Sequence, residues 1–225
     1  MGSGVAGSHV RTLSLSRDPF GEKPLFFRQV DGNVLFASEI PALIALAGEK
    51  PKPNSDQFLR FMVNGYKSLY KGHETWLEDL VSVPPASTIS FNLQGASRLV
   101  SHWSPTAIEN SSMSYQEAVE STRDVLISVV RSRLSSKVPV ANLLSGGIDS
   151  NAILGVQAGV LGEDAHCFSI RSGDPRYSEA EATISAAKSC GASLQFVDGD
   201  ISEPLDALIT MTRHRGFPPA TLSSL

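Results

Sequence analysis

The chain has 225 residues, 41% of them hydrophobic, which is enough to bury one sizeable core or two modest ones. Its 19 basic and 23 acidic residues give a formal net charge of -4 with no Lys/Arg run, which argues against a nucleic-acid or anionic-lipid partner. No apolar run approaches the roughly 18 residues of a membrane span, and no basic start leads into an apolar stretch, so cytoplasm is the expected location. Cys167 and Cys190 stand 23 residues apart without Cys-x-x-Cys or Cys/His ligand spacing, and read as buried thiols rather than a disulfide or zinc site.

Residues 1–8 are small and read as a flexible linker, a tag remnant or the edge of a longer parent. From 10 to about 100 the chain reads as strands and turns with two helices. Residues 9–16 alternate loosely, Arg17-Asp18-Pro19-Phe20-Gly21 reads as a turn, and 24–30 and 34–37 read as strands around Asp31-Gly32-Asn33. Ser38 is placed to cap a short helix through Ala47, with Glu39 in its first turn. A second helix starts near Asn54 or Ser55 with Phe58, Leu59, Phe61 and Met62 as its buried side, Pro84-Pro85 ends a segment, and 87–93 alternates as a strand. This layout predicts an α+β layer.

The polar stretch 103–114 reads as a domain boundary, giving expected domains of 9–104 and 114–225. After it the period changes. Ser114 and Glu117 form a capping box ahead of Ala118, Thr122, Val125, Leu126, Val129 and Val130 at helical spacing. Strands at 138–144, 165–170 and 194–197 then alternate with helices near 150–161, 178–189 and 202–214. Ser178 with Glu181 and Ser202 before Glu203-Pro204 mark two of those helix starts. Such alternation predicts parallel strands with crossover helices, and so ligands at the carboxyl ends of the strands.

The segment Leu143-Leu144-Ser145-Gly146-Gly147-Ile148-Asp149-Ser150 lies between a buried strand and a helix. Two glycines let the backbone turn tightly and expose N–H groups, and the helix start adds unpaired ones. Ser145 and Ser150 carry hydroxyls that can donate to phosphate oxygens. Asp149 would repel a bare phosphate, so it reads as a Mg²⁺ ligand or as a brace that accepts loop N–H groups. An ordinary Gly-Gly turn is the competing reading. The loop is neither a Walker A motif nor Gly-x-Gly-x-x-Gly, so the residues alone lead no further than phosphate binding.

Ser145-Gly146-Gly147-Ile148-Asp149-Ser150 resembles the pyrophosphate-binding loop of the ATP pyrophosphatase fold, shared by GMP, NAD, argininosuccinate and asparagine synthetases. The flanking Arg133-Leu134 and Val138-Pro139-Val140 are similar to those of glutamine-dependent asparagine synthetases. Cys167-Phe168-Ser169-Ile170 and Asp174-Pro175-Arg176-Tyr177-Ser178-Glu179 resemble that family's second strand and the loop after it. Arg17-Asp18-Pro19-Phe20-Gly21-Glu22-Lys23-Pro24-Leu25 and Phe36-Ala37-Ser38-Glu39-Ile40 look like later strands of its glutaminase domain. The resemblance implies the C-terminal portion of a glutaminase-like α+β sandwich lacking its catalytic cysteine, then the N-terminal portion of an α/β ATP pyrophosphatase-type domain, each incomplete. It further implies a ligase that uses ATP and Mg²⁺ to adenylate a carboxylate such as aspartate and then transfers ammonia, taken from glutamine or free. Ser145, Gly146, Gly147, Asp149 and Ser150 would contact pyrophosphate or Mg²⁺, while Leu144 and Ile170 would bracket adenosine. A homo-oligomer is compatible with this reading.

The sequence also departs from the family. Gly2 stands where the resemblance places a nucleophilic cysteine, so this chain is not expected to hydrolyse glutamine. The later Ser-Gly-x-Gly-x-Asp-Glu motif is absent, and Phe217 falls where an acidic residue ahead of a proline is usual, which weakens aspartate as the substrate. A non-catalytic ATP-binding or scaffolding remnant and a relative acting on a different carboxylate are the alternatives, and this chain alone is expected to be inactive. Elsewhere, Arg17-Asp18 reads as an ion pair bracing the turn at Gly21, and Glu39 as either a helix-start acid or an interface residue. His9, His73, His102, His166 and His214 lie in unlike contexts that do not suggest catalysis. Arg176 and Lys188 could neutralise phosphate, with Lys188 better read as solvated, and Trp76, Phe91 and Trp103 read as a cluster packing between domains.

Overall fold

The computed structural model describes residues 3–6, 12–49, 51–65, 72–106, 112–171, 179–199 and 202–219. Contacts divide the chain into two compact units, one of 1–107 with 203–225 and one of 108–202.

In the first unit, β1 (Ser3–Ala6), β2 (Leu13–Ser16), β6 (Ser87–Phe91) and β7 (Ser97–Ser101) form an antiparallel sheet in that order. A second antiparallel sheet has β3 (Phe26–Val30) between β4 (Asn33–Ala37) and β5 (Leu80–Ser82). Successive strand residues face opposite ways, so Phe27 and Phe26 serve two different cores. Phe27 joins Leu15, Leu25, Val83, Ile89 and Phe91 between the sheets, with Phe27 and Phe91 edge to face at 5.3 Å. Phe26 joins Ile40, Leu43, Leu77 and Leu80 on the far side, where α1 (Ile40–Ala47) covers the second sheet. A sandwich with a helical layer results. Helix α6 (Pro204–Arg215) also belongs to this unit and packs on α1, and Phe217 after it lies against the Phe26 and Ile40 core.

Several local expectations are corrected here. Residues 3–6, expected to be flexible, form β1. Ser38 does not cap α1; Glu39 holds the N-cap position without a side-chain bond, and a proline in the first turn starts the helix. Helix α2 (Ser55–Asn64) is capped by Asn54, whose side chain accepts from Gln57 N, but its buried residue is Gln57, while Leu59 and Met62 are exposed. Phe58 and Phe61 pack edge-on against the buried Trp76. The three aromatics expected to cluster separate: Phe91 pairs with Phe27, and the partly exposed Trp103 with Phe20 at 5.1 Å.

In the second unit, α3 (Tyr115–Leu134) begins at the capping box: Glu117 accepts from Ser114 N at 2.7 Å, and Ser114 Oγ accepts from Glu117 N at 3.3 Å. Three parallel strands follow in the order β10 (Ser193–Asp198), β9 (His166–Arg171), β8 (Ala141–Leu143). Strand β8 is shorter than expected because Pro139 has no N–H for the ladder and Val138 is exposed. Helix α4 (Ile148–Leu154) continues as a π-helical segment, Gly155–Val160, and α5 (Ala180–Ser189) joins β9 to β10. Leu144, Leu154, Ala165, Cys167 and Ala187 make the core on one sheet face, with Leu194 against it. The alternate residues Leu143, Ile170 and Val197 are exposed on the other. Cys167 is buried, which pushes its thiol pKa up, and Cys190 is half-buried. Ser178 lies outside the described residues, and α6 starts at Pro204 after Glu203, which makes no side-chain cap, rather than at Ser202.

Among the described residues no helix is long and apolar enough to cross a membrane.

Candidate active site

The phosphate-loop candidate leaves β8 at the carboxyl edge of the parallel sheet. Leu144 N donates to Phe168 O at 2.8 Å, holding the loop's first residue to the central strand, and the Leu144 side chain is 2% exposed in the core. Leu144 therefore offers a ligand only backbone. Gly146 then turns the chain at φ +73°. A Cβ there would lie 3.3 Å from both Ala182 Cβ and Glu179 Cβ, so this position favours glycine for its conformation and for its close approach to the start of α5. Gly147 is extended, with φ -74° and ψ 161°, and is the N-cap of α4 with no side-chain bond to the helix amides. The first amides of a helix have no intrahelical partner, and such amides can receive an anion.

The loop is tied by its own side chains. Ser150 Oγ accepts from Ser145 N at 3.3 Å, donates to Gly147 O at 3.2 Å and lies 3.2 Å from Ser145 Oγ. Asn151, which sequence reasoning missed, donates from Nδ2 to Gly146 O at 3.2 Å. These bonds are long, and the hydroxyls of Ser145 and Ser150 can rotate to an incoming oxygen at little loss. Asp149 takes no part in this bracing: it is exposed in the first turn of α4. Among the described residues no three His, Cys, Asp or Glu side chains group to hold a metal. One carboxylate beside a phosphate site fits Mg²⁺, which characteristically takes one or two carboxylates together with substrate phosphates.

Ile170, expected at the adenosine, is 65% exposed near the end of β9, on the sheet face opposite the helices. Gly199 lies against it; a Cβ at Gly199 would come 2.5 Å from Ile170 Cγ2, and Gly199 N donates to Arg171 O at 2.9 Å. Arg171 stacks on the ring of Phe196, 4.5 Å from its centre. The other candidates are dispersed. His166 bonds Ser193 Oγ at 2.7 Å at the amino ends of the strands, and Lys188 is exposed in the last turn of α5. His73, His102 and His214 are exposed in the first unit, as is Glu39, and His9 and Arg176 lie outside the described residues.

Two hollows lie elsewhere. One of about 600 Å³ in the second unit is lined by Arg131, Pro139, Gln157, Glu163 and His166, and one of about 740 Å³ in the first by Arg17, Glu39, Glu74 and Phe217 among others. Neither includes a loop residue. The loop candidate is open, with Gly147, Ile148 and Asp149 exposed at the start of α4.

Arg17 and Asp18 do brace the turn at Gly21, though not as the ion pair expected. Arg17 donates to Lys23 O, Ser82 Oγ, Val83 O and Gly21 O at 2.8 to 3.0 Å. Asp18 accepts from the N–H groups of Phe20, Glu22 and Lys23 at 2.9 to 3.2 Å. Those of Lys23 and Glu22 hold its carboxyl below the ordinary 3.8, with the charge of Arg17 a smaller influence.

Residues 4–103 match the family model of the glutamine amidotransferase domain, and residues 121–223 that of asparagine synthase. The chain is 28% identical over 167 residues to asparagine synthetase [glutamine-hydrolyzing] 3 of Bacillus subtilis, covering 70% of this chain and 26% of that protein. Over 180 residues it is 28% identical to asparagine synthetase [glutamine-hydrolyzing] 1 of the same organism, covering 78% and 27%. It is also 28% identical over 156 residues to amidase chyE of Penicillium rubens, covering 66% and 22%. The chain thus spans about a quarter of the length of these relatives. These matches point to the glutamine-dependent asparagine synthetase family. The antiparallel sheets of the first unit are of the glutamine amidotransferase sandwich type, and the parallel sheet with its helices is of the ATP pyrophosphatase type.

Proposed function

We propose that the protein carrying this chain activates a carboxylate with ATP and transfers ammonia to it, in the manner of an asparagine synthetase. The observation that carries this reading is the loop 144–151, which bonds internally through side chains and keeps the amides of Gly147 and the α4 start for an anion. Its segment matches the asparagine synthase model. In this proposal 9–104 is the C-terminal portion of a glutaminase-type domain and 114–225 the N-terminal portion of the ATP-binding domain.

The substrate carboxylate attacks the α-phosphorus of ATP, the bond to the bridging oxygen breaks, and pyrophosphate leaves as the acyl-adenylate forms. Ammonia adds to the acyl carbon and loses a proton as AMP leaves, giving the amide. The Gly147 N–H and the hydroxyls of Ser145 and Ser150 stabilise the charge of the departing pyrophosphate, because fixed donors need little reorganisation as that charge grows. Asp149 would hold Mg²⁺, which when bound neutralises phosphate charge. The backbone of Leu144 and the side chain of Ile170 flank the adenosine. Neither cysteine of the chain lies in the first unit, so glutamine hydrolysis is not assigned to that unit's described residues.

A second reading is favoured by a specific observation. Two of the similar proteins are named amidases, chyE and, at 28% identity, chry2 of Gibberella zeae, and Phe217 packs against the first unit's core at the position where the sequence resemblance implies an acid. The residue at position 217 favours a carboxylate other than aspartate. Carboxylate-dependent exchange of labelled pyrophosphate into ATP separates the two. Exchange with aspartate supports asparagine synthesis, exchange with another acid alone supports the second reading, and no exchange with any acid by the protein carrying this chain contradicts both.

A further inference from the structure

Of the loop's internal ties, the one from Asn151 sets the direction of a peptide group. Its Nδ2 holds the oxygen of Gly146 at 3.2 Å. A trans peptide is planar, with its C=O and the following N–H pointing in opposite directions. Holding the Gly146 oxygen towards α4 therefore turns the Gly147 N–H away from the helix, on the side where Gly147 is exposed. Gly146, at φ +73°, does not hold this orientation by itself, since glycine enters and leaves that region freely. The second oxygen-bearing end of the same side chain tells the rest: Asn151 Oδ1 is buried without a hydrogen-bond partner. An unsatisfied buried acceptor lowers stability, and an apolar side chain of similar size would avoid it.

We propose that Asn151 is a positioning residue of the phosphate loop: it does not touch the nucleotide, but fixes the peptide between Gly146 and Gly147 so that the Gly147 N–H faces a phosphate oxygen. This rests on the reading of the loop as an ATP site. The role implies an opposition between stability and affinity. Removing the amide relieves the unpaired oxygen while freeing the peptide to rotate.

The test titrates the chain and its Asn151→Leu and Asn151→Asp variants with MgATP and with magnesium pyrophosphate by calorimetry, and melts each protein in parallel. Leu keeps the approximate size without polar atoms, and Asp keeps the shape but replaces the donor with an acceptor facing Gly146 O. Both ligands are expected to bind at least about fivefold more weakly to each variant, while Asn151→Leu melts no lower than the wild type. Unchanged affinity in the variants beside a wild type that binds overturns the role of Asn151 and leaves the ATP site standing. Affinity and melting temperature falling together in Asn151→Leu make the residue structural and overturn the proposal. Should that variant fail to fold, Asn151→Asp decides by affinity alone. No binding by the wild type overturns the ATP reading, and the positioning role with it.

Discussion

Two glycine turns in this chain use their polar groups in opposite ways. At Gly21, φ +64°, the turn is tied by Arg17 to four oxygens and by Asp18 to three backbone N–H groups, most of them near 2.9 Å. At Gly146, φ +73°, the ties are few and 3.2 to 3.3 Å long, the carboxylate of Asp149 is exposed, and the helix amides have no side-chain cap. The first turn has used its hydrogen-bonding capacity on the protein, whereas the second has kept it. On the proposed reading, the difference is that between a turn that holds a fold and a turn that holds a ligand.

Substitutions at the two turns should therefore separate stability from binding. The largest expected effect is Arg17→Ala, which removes four charged hydrogen bonds and leaves carbonyls unpaired; a loss of about 3 kcal/mol is predicted for the unfolding of the first unit. Urea denaturation measures it, and ATP affinity of the folded protein should not change. Next is Gly146→Ala, where a left-handed φ and the crowding against Glu179 and Ala182 are expected to weaken MgATP binding at least about tenfold while costing about 1 to 2 kcal/mol of stability. An equal loss of stability at both turns with no change in ATP affinity would erase the distinction between them. Outside either turn, Ser114→Ala removes the capping box of α3 and should cost about 1 kcal/mol without affecting ATP.

The smallest effect concerns pH. The carboxyl of Asp18 titrates below its ordinary 3.8 in the folded protein, so its contribution is present above that value and is lost as pH falls through the lower native one. Asp18→Asn should flatten the acid limb of first-unit stability below about pH 4, and leave the dependence above about pH 5 as it was. Urea midpoints across that range would show it, and identical acid limbs in the two proteins would mean that the hydrogen bonds to Asp18 do not set it.

The same contrast explains what could be read from sequence. The capping box at Ser114 and Glu117, the strands expected at 165–170 and 194–197, and the Gly-Gly loop between strand and helix are local patterns, and they appear as the capped α3, the strands 166–171 and 193–198, and the turn before α4. What depended on distant partners was not legible. Helix α2 carries an apolar stripe, but the pattern does not say what would cover it, and Leu59 and Met62 are exposed. Strand β7 is exposed at every residue, so no alternation marks it, and β5 has only three residues. In the π-helical segment after α4, Gln157 is buried, accepts from Asn142 Nδ2 and donates to Asp164 O, each at 2.8 Å. An asparagine inside the otherwise apolar 140–144 was the one hint of it. At the loop, the sequence offered Ser145, Gly146, Gly147, Asp149 and Ser150 as candidate phosphate or metal contacts, and the structure gathers them in one turn at the start of α4. Sequence reasoning missed Asn151, whose proposed role depends on the direction of a peptide, and it could not show that the side chain of Leu144 faces the core.

The claim that the second turn is a phosphate site is tested most directly by calorimetric titration of the chain with ATP, with and without Mg²⁺, beside Asp149→Ala. Binding that requires Mg²⁺ and weakens at least about tenfold in the variant, roughly 1.4 kcal/mol, is the predicted result. A folded protein that binds no ATP, or one whose affinity is the same without Asp149, would contradict it.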